Sequence, residues 1–462
     1  MRGFRVLALT TSMLVAGLVA APPAWADGAS GGGDLHVAQS LGDRELTVVI
    51  RRVDPVPGPL RVEVVSHAGT APGVLALRAA SIGASNADRP PGSASQTTVT
   101  LGTTPGVYAG TMRVDQAGAW ELAVDDGERV ARIPFLVPAR FVTPWERAAY
   151  GGFAAAGLLL AVSLLVAVRS RRGWPALIPA AGVIAAVAVG LTGALLSASA
   201  PPPQPAGRLL DPSPDTIGDP YPERALSTTD YSRPPVNLVL RNDSSTLALT
   251  VTDSATGRPA DDLLVHDNAL IHLMIVGPTG RLWHLHPIRT GPGGYEVRFA
   301  PSETGEYAVA AELSRRGGGV QLIRSSFTAA AAQPADPPRR DAGQITATPL
   351  VAAGPSTITA RLGGPADLQP WLGMVGHLII VGPLPDGGSA ATAPIWSHAH
   401  AMVPVTPGAT GGQPDETVAA YGPDVSFTYT FPLPGRYRIW VQAERDYAII
   451  TVPTTVDVSG AR

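Results

Sequence analysis

Phe299-Ala-Pro-Ser-Glu-Thr-Gly305-Glu-Tyr307 and Phe431-Pro-Leu-Pro-Gly435-Arg-Tyr437 follow one pattern: an aromatic residue, a proline-containing turn, a glycine, then an aromatic two residues on. Val114-Asp-Gln-Ala-Gly118-Ala-Trp120 is a third version. A strand, a tight turn that needs glycine, and an aromatic that opens the next strand and plugs the edge of a core account for all three. Ahead of this third version lie short β-type runs, Leu46 to Ile50, Leu60 to Val65 and Val107 to Val114, and Trp120 to Val124 follows. The 51 glycines and 46 prolines among 462 residues exceed the average usage of roughly 12% and favour turn-rich β structure over helical bundles. The length allows about three domains. The expected fold is mainly β, with three β-sandwich modules at 27–143, 236–329 and 343–462 and a two-helix transmembrane hairpin between the first and second.

The hairpin rests on two uncharged stretches. Ala148 to Val168 runs 21 residues, about 31 Å as a helix, which matches a hydrocarbon thickness of roughly 30 Å. Trp174 to Ala200 is the second, and Arg169, Arg171 and Arg172 stand between them. Each arginine would cost about 2.5–3.5 kcal/mol at mid-bilayer, so this connection belongs at a surface, and short basic loops face the cytoplasm. The hairpin is placed at 144–200. Gly151, Gly152 and Gly157 would let helices approach closely. Arg2 and Arg5, an apolar run from Val6 to Ala20 and Ala24-Trp25-Ala26 read as a signal peptide over 1–26. Both readings put the β modules outside the cytoplasm, anchored in the cell membrane. Segments 201–235 and 330–342, rich in proline and small polar residues, read as linkers.

Composition excludes many chemistries. All 34 basic residues are arginine, so no P-loop, kinase-type or Schiff-base lysine exists. No cysteine is present, which removes disulfides, iron–sulfur clusters, covalent haem and the thiolate of blue-copper sites. With a net charge of -3 and 15% charged residues, no basic face recruits nucleic acid. No His-Glu-x-x-His helix or paired-carboxylate pattern occurs, and the expectation is a protein that is not an enzyme.

The chemistry that remains lies in a second repeat. Ile271-His272-Leu-Met274-Ile-Val-Gly-Pro278 aligns with Gly376-His377-Leu-Ile-Ile-Val-Gly-Pro383. Each is followed by an aromatic and a histidine pair, Trp283-His284-Leu-His286-Pro287 and Trp396-Ser-His398-Ala-His400-Ala-Met402. The first module has only His36 and His67, neither in such a pair, so a sandwich of this type does not require the histidines. Residues two apart on a strand project from one face with side chains about 6.5–7 Å apart, so each pair can meet on one ion. His272 or His377 is the natural third ligand if the loop register allows. A four-residue turn at Gly277 to Gly280 would put His272 on the opposite face; a three- or five-residue turn would not. Without thiolates, two or three imidazoles suit a copper ion first and zinc second, with Met274 and Met402 as available thioethers. The competing readings are histidines hydrogen-bonded at a sandwich edge or module interface, and a pH switch. His266 and Asp261-Asp262 could join the site or be solvated turn residues, and Arg289, Arg315 and Arg316 read as surface charge.

The order His272-Leu-Met-Ile-Val, Trp283-His284-Leu-His286-Pro287, Gly305-Glu-Tyr307 resembles exported bacterial proteins with a His-x-His-Pro strand, associated with heavy-metal handling. The first module, with Gly106-Val-Tyr108 leading to Ala117-Gly118-Ala-Trp120, looks like YtkA-like or CopC-like immunoglobulin-type β domains. The resemblance implies an envelope protein of sandwich domains with a copper role, and carries over to His272, His284 and His286. The functional expectation is a membrane-anchored, extracytoplasmic protein that binds or buffers copper through the repeated strands. The alternative is a structural module of the cell envelope that binds a protein partner by edge-strand contact.

Overall fold

The structure, a computed structural model, describes residues 34–53, 55–82, 94–137, 144–170, 174–199, 233–243, 245–332, 343–403 and 414–461. The signal peptide, nearly all of both linkers, and Arg171 and Arg172 lie outside the described residues.

Among the described residues strands form six sheets, two in each of three stretches of chain. In the first stretch, Leu35–Leu41, Arg44–Ile50, Gly58–Ser66 and Gly106–Val114 pair in that order, facing a sheet ordered Ser95–Leu101, Gly73–Ser81, Gly118–Asp125, Val130–Val137. In the second, Ile288–Gly291, Gly294–Arg298, Thr246–Asp253 and Val236–Asp243 form one sheet. Its companion is ordered Leu263–Leu264, Gly305–Arg315, His272–Val276, Leu282–Leu285, with Gly319–Ala329 on the free side of Gly305–Arg315. The third stretch repeats this plan: Leu368–Gln369, Gly435–Arg445, Met374–Gly382, Ile395–Met402, with Ala448–Val458 beside Gly435–Arg445, over a sheet of Gln344–Ala347, Pro355–Arg361 and Asp424–Thr430.

The repeated turn behaves alike in all three. Gly118, Gly305 and Gly435 have φ of 131°, 146° and 131°, a region that residues with a Cβ rarely enter. The aromatic two residues on is fully buried each time. Its polar atom bonds the carbonyl four residues back: Trp120 Nε1–H to Gln116, Tyr307 O–H to Glu303, Tyr437 O–H to Leu433. A buried aromatic with a satisfied donor anchors the turn to the core.

Two helices, α1 (Pro144–Arg169) and α2 (Leu177–Ser199), follow the first stretch. Both are long and apolar enough to cross a membrane. They pack through small residues: a Cβ on Gly152 would meet the Gly190 backbone at 2.5 Å, and one on Gly193 the Trp145 carbonyl at 2.7 Å. Gly152 is therefore used within the hairpin, whereas nothing approaches Gly151 or Gly157.

What positions the site is the face-to-face contact of the second and third stretches. In His272–Val276, Leu273 and Ile275 enter their own core, while Met274 and Val276 turn outward. In Met374–Gly382, Leu378 and Ile380 face inward, and Ile379 and Val381 outward. The outward residues pack with Ala308, Ala310, Trp396 and Trp440. This second apolar face explains why both strands are buried along their whole length. Burying each large side chain there stabilises the contact by about 1.5–3 kcal/mol. One register step beyond this patch, period two brings His272, His377, Glu312 and Gln442 onto the same faces.

Candidate metal centre

Register decides whether the rings meet. Met274 pairs with His284 and Val276 with Leu282, leaving a five-residue loop, Gly277 to Arg281. A five-residue loop keeps His272 on the face of the His284/His286 pair. In the third stretch Ile379 pairs with His398 and His377 with His400. All six repeated histidines therefore converge where the two sheets meet. Ring centroids are 5.5 Å apart for His272–His284, 5.3 Å for His377–His398 and 5.0 Å for His284–His398 across the contact. Exchanging the two stretches maps His272 onto His377, His284 onto His398 and His286 onto His400.

The hydrogen bonds fix which nitrogen of each ring points its proton outward. His272 Nε2 donates to the His266 carbonyl (3.1 Å) and His377 Nε2 to the Trp371 carbonyl (3.1 Å), each six residues back. These carbonyls belong to matching tight turns, His266 to Ala269 and Trp371 to Met374, closed by reciprocal backbone bonds. Across the contact, His284 Nδ1 donates to Gln442 Oε1 (3.0 Å) and His398 Nδ1 to Glu312 Oε2 (3.2 Å). The outermost pair uses carboxylates: His286 Nδ1 lies 2.6 Å from Glu45 Oε1, and His400 Nδ1 lies 3.4 Å from Asp267 Oδ2.

With the outward nitrogens so engaged, the rings turn their other six nitrogens inward. His272 Nδ1 and His284 Nε2 face each other at 3.3 Å, His377 Nδ1 and His398 Nε2 at 3.2 Å, and His400 Nε2 and His398 Nε2 at 3.3 Å. Two lone pairs at that distance repel unless a cation lies between them. Nitrogens about 2.0–2.1 Å from a tetrahedral ion stand roughly 3.3–3.4 Å from one another, so the spacing suits such an ion. His286 Nε2 is buried without a hydrogen-bond partner, as a ligand atom would be without its ion. Two three-histidine groups have ligand atoms mutually within 4.8 Å: His272, His284 and His398, and His377, His398 and His400.

Electrostatics agree. Burial, and then the neighbouring rings, hold His272, His284 and His377 well below the usual imidazole range. Burial first and His398 next push His400 down to about 3. These four rings are neutral at pH 7, the form in which an imidazole can bind a metal. For Glu312, burial alone would raise the carboxyl, but the hydrogen bonds from His266 and His398 outweigh it and hold Glu312 well below the usual range. The two ends of the set differ. At one, His266, Asp267 and Glu312 form a partly exposed polar group; at the other, the buried Trp371 ring packs edge-on against His377 at 4.8 Å between centroids.

The structure also corrects the charge assignments. Arg289, Arg315 and Arg316 are buried, as are Asp261 and Asp262. Arg289 binds Asp261 through two bonds of 2.7 and 2.5 Å and reaches Glu121 of the first stretch. Arg315 pairs with Asp262 and Asp253. These carboxylates neutralise buried guanidinium groups and are not solvated turn residues. Of the sequence-selected thioethers, Met274 is packed in the apolar contact and Met402 is 65% exposed at its strand end. Sequence reasoning missed Glu45, Glu312, Asp267 and Gln442, because each lies far along the chain from the ring it receives. Only the alternation that puts Glu312 and Gln442 on the outward faces of their strands could have singled them out.

Residues 344–460 match a family model described as a domain of unknown function (DUF8832). No curated protein matches. Solved structures with some likeness include a tetra-tandem repeat from the extending region of a large adhesion protein, 10% identical, spanning 92% of this chain and 74% of that one, with TM-score 0.16. Latent PorU from Porphyromonas gingivalis is 10% identical over 92% of this chain and 33% of that one, at 0.16. Elastase-activated Escherichia coli alpha-2-macroglobulin is 11% identical over 93% and 44%, at 0.19. The chain spans a third and under half of the latter two, and likenesses of this order assign neither architecture nor role.

Proposed function

We propose that this is a membrane-anchored, extracytoplasmic metal-binding protein of three immunoglobulin-like, YtkA-like or CopC-like modules, which stores, buffers or passes copper, with zinc as the second choice. The observation that carries this reading is the set of six inward nitrogens whose rings each commit their proton outward. Metal-binding histidines are held in this way, because the outer acceptor fixes the tautomer and raises ligand basicity. An all-imidazole donor set suits Cu(II), Cu(I) or Zn(II) and gives no advantage to Mg²⁺ or Ca²⁺. Burial of the rings fits retention of an ion better than turnover of a substrate. His272, His284, His286, His377, His398 and His400 would hold the metal.

The test is a competition titration of the full-length chain in detergent with Cu(I) and Zn(II) against a chromophoric chelator. Tight binding that the double substitution His284→Ala/His398→Ala abolishes supports the reading. Absence of binding would leave the alternative, a histidine-lined joint in an envelope interaction protein. A finer expectation concerns Glu312, which receives the Nδ1 proton of His398. Glu312→Gln should weaken affinity by roughly 10–100-fold, the usual cost of losing an acceptor behind a ligating histidine; the same titration measures it.

A further inference from the structure

We infer that the histidine cluster is a two-ion centre, with His377, His398 and His400 holding one ion and His272, His284 and His286 the other. This rests on the metal-binding reading and adds the count. An ion of the zinc or copper class takes about four ligands, so one ion on either close triad would leave at least two inward nitrogens bare and buried. An acceptor desolvated without a partner is costly. His286 makes the point concretely: its Nε2 is buried without a partner and belongs to neither close triad.

The two triads share His398, so two ions cannot be built from them as they stand. Once His398 is committed to the third stretch, its place beside His272 and His284 falls to His286. His286 stands to them as His400 stands to His377 and His398: centroids are 5.3 and 5.0 Å apart in the one half, 5.1 and 4.4 Å in the other. Each half then uses one ring from the inner strand and both rings of the His-x-His strand, as the sequence repeat requires. The halves differ in outer acceptors. Asp267 and Glu312 receive two rings of the His377 half, whereas among the described residues Glu45 is the one carboxylate that receives a ring of the other. The first ion should therefore bind in the His377 half and the second more weakly in the His272 half.

Zn(II) and Cu(I) titrations of the full-length chain in detergent, with metal content measured after gel filtration, read the count. Two equivalents per chain with two resolved affinities are expected. His286→Gln should reduce the count to one while sparing the tighter site, and His400→Gln should also leave one ion, now at the weaker affinity. Either variant suffices should the other fail to fold, as checked by elution volume and circular dichroism. One equivalent bound by the unsubstituted chain would overturn the two-ion centre yet leave metal binding standing. Two equivalents retained by both folded variants would also overturn it. No binding at all would remove both readings.

Discussion

Raising the pH from 7 to 9.5 should cost the full-length chain on the order of 2–3 kcal/mol of stability, most of it through one side chain. His67, on the first stretch, is buried with its Nδ1 2.5 Å from Glu444 Oε1 of the third, and its Nε2 lies 3.1 Å from Thr47 Oγ1. Burial disfavours the charged ring, but Glu444, with Glu416 and Glu45 behind it, outweighs burial and raises the pKa to about 9. In the unfolded chain the same ring titrates near 6.5. The folded state therefore holds a proton that the unfolded state has lost. This stabilisation is complete below pH 6.5 and disappears as pH rises through 9. Glu416, pushed up to about 7 by burial, has the same sign but acts between about pH 4.5 and 7, below this window. The lowered rings His272, His284, His377 and His400 are already neutral here. Urea unfolding in detergent, followed by tryptophan fluorescence at the two pH values, checks the slope. His67→Gln should flatten it and lower stability at pH 7 by about 3–5 kcal/mol, because it leaves the Glu444 carboxylate buried without its counter-charge. An unchanged slope in that variant would show that His67 does not carry the ion pair joining the two stretches.

Legibility in the sequence followed the range of the interaction. The glycine-aromatic turns were readable because their cause is local: a positive φ and a bond to a carbonyl four residues back. The two apolar helices were equally plain, since length and hydropathy decide them. The six histidines could be named from their repeat, but not their meeting, which depended on a five-residue loop that periodicity cannot distinguish from a four-residue one. The acceptors that orient them could not be read at all. Gln442 lies 158 residues from His284, and Glu45 lies 241 from His286. Arg289 and Arg315 misled for a related reason. A charge in a sequence reads as solvated unless its partner is in view, and the partners Asp261 and Asp262 lie 28 and 53 residues away. The second apolar face of the His272–Val276 and Met374–Gly382 strands was hidden because an unbroken apolar run fits a strand covered on both faces without saying by what.

His398→Ala should weaken metal binding more than any other single substitution in the cluster, and by more than the roughly 10–100-fold expected of its outer acceptor Glu312. His398 is the only residue common to both close triads. Its Nε2 faces His377 Nδ1 at 3.2 Å and His400 Nε2 at 3.3 Å, and its ring lies 5.0 Å from His284 and 5.3 Å from His272. Removing it takes a donor from one half and strips the other of its nearest ring across the contact. His36→Ala supplies the control: that ring is also buried, at 7% exposed, but lies on Leu35–Leu41 in the first stretch and belongs to neither triad. The expected order of loss is His398 first, then His377 and His272, which each belong to one close triad, and His36 with no effect. A cavity at the contact would also destabilise the chain, so His398→Gln, which fills more of the space but offers no imidazole nitrogen, separates lost packing from lost ligation. If His398→Gln restored tight Cu(I) and Zn(II) binding, the ring would be a packing element and the six-nitrogen arrangement would have no role in holding an ion.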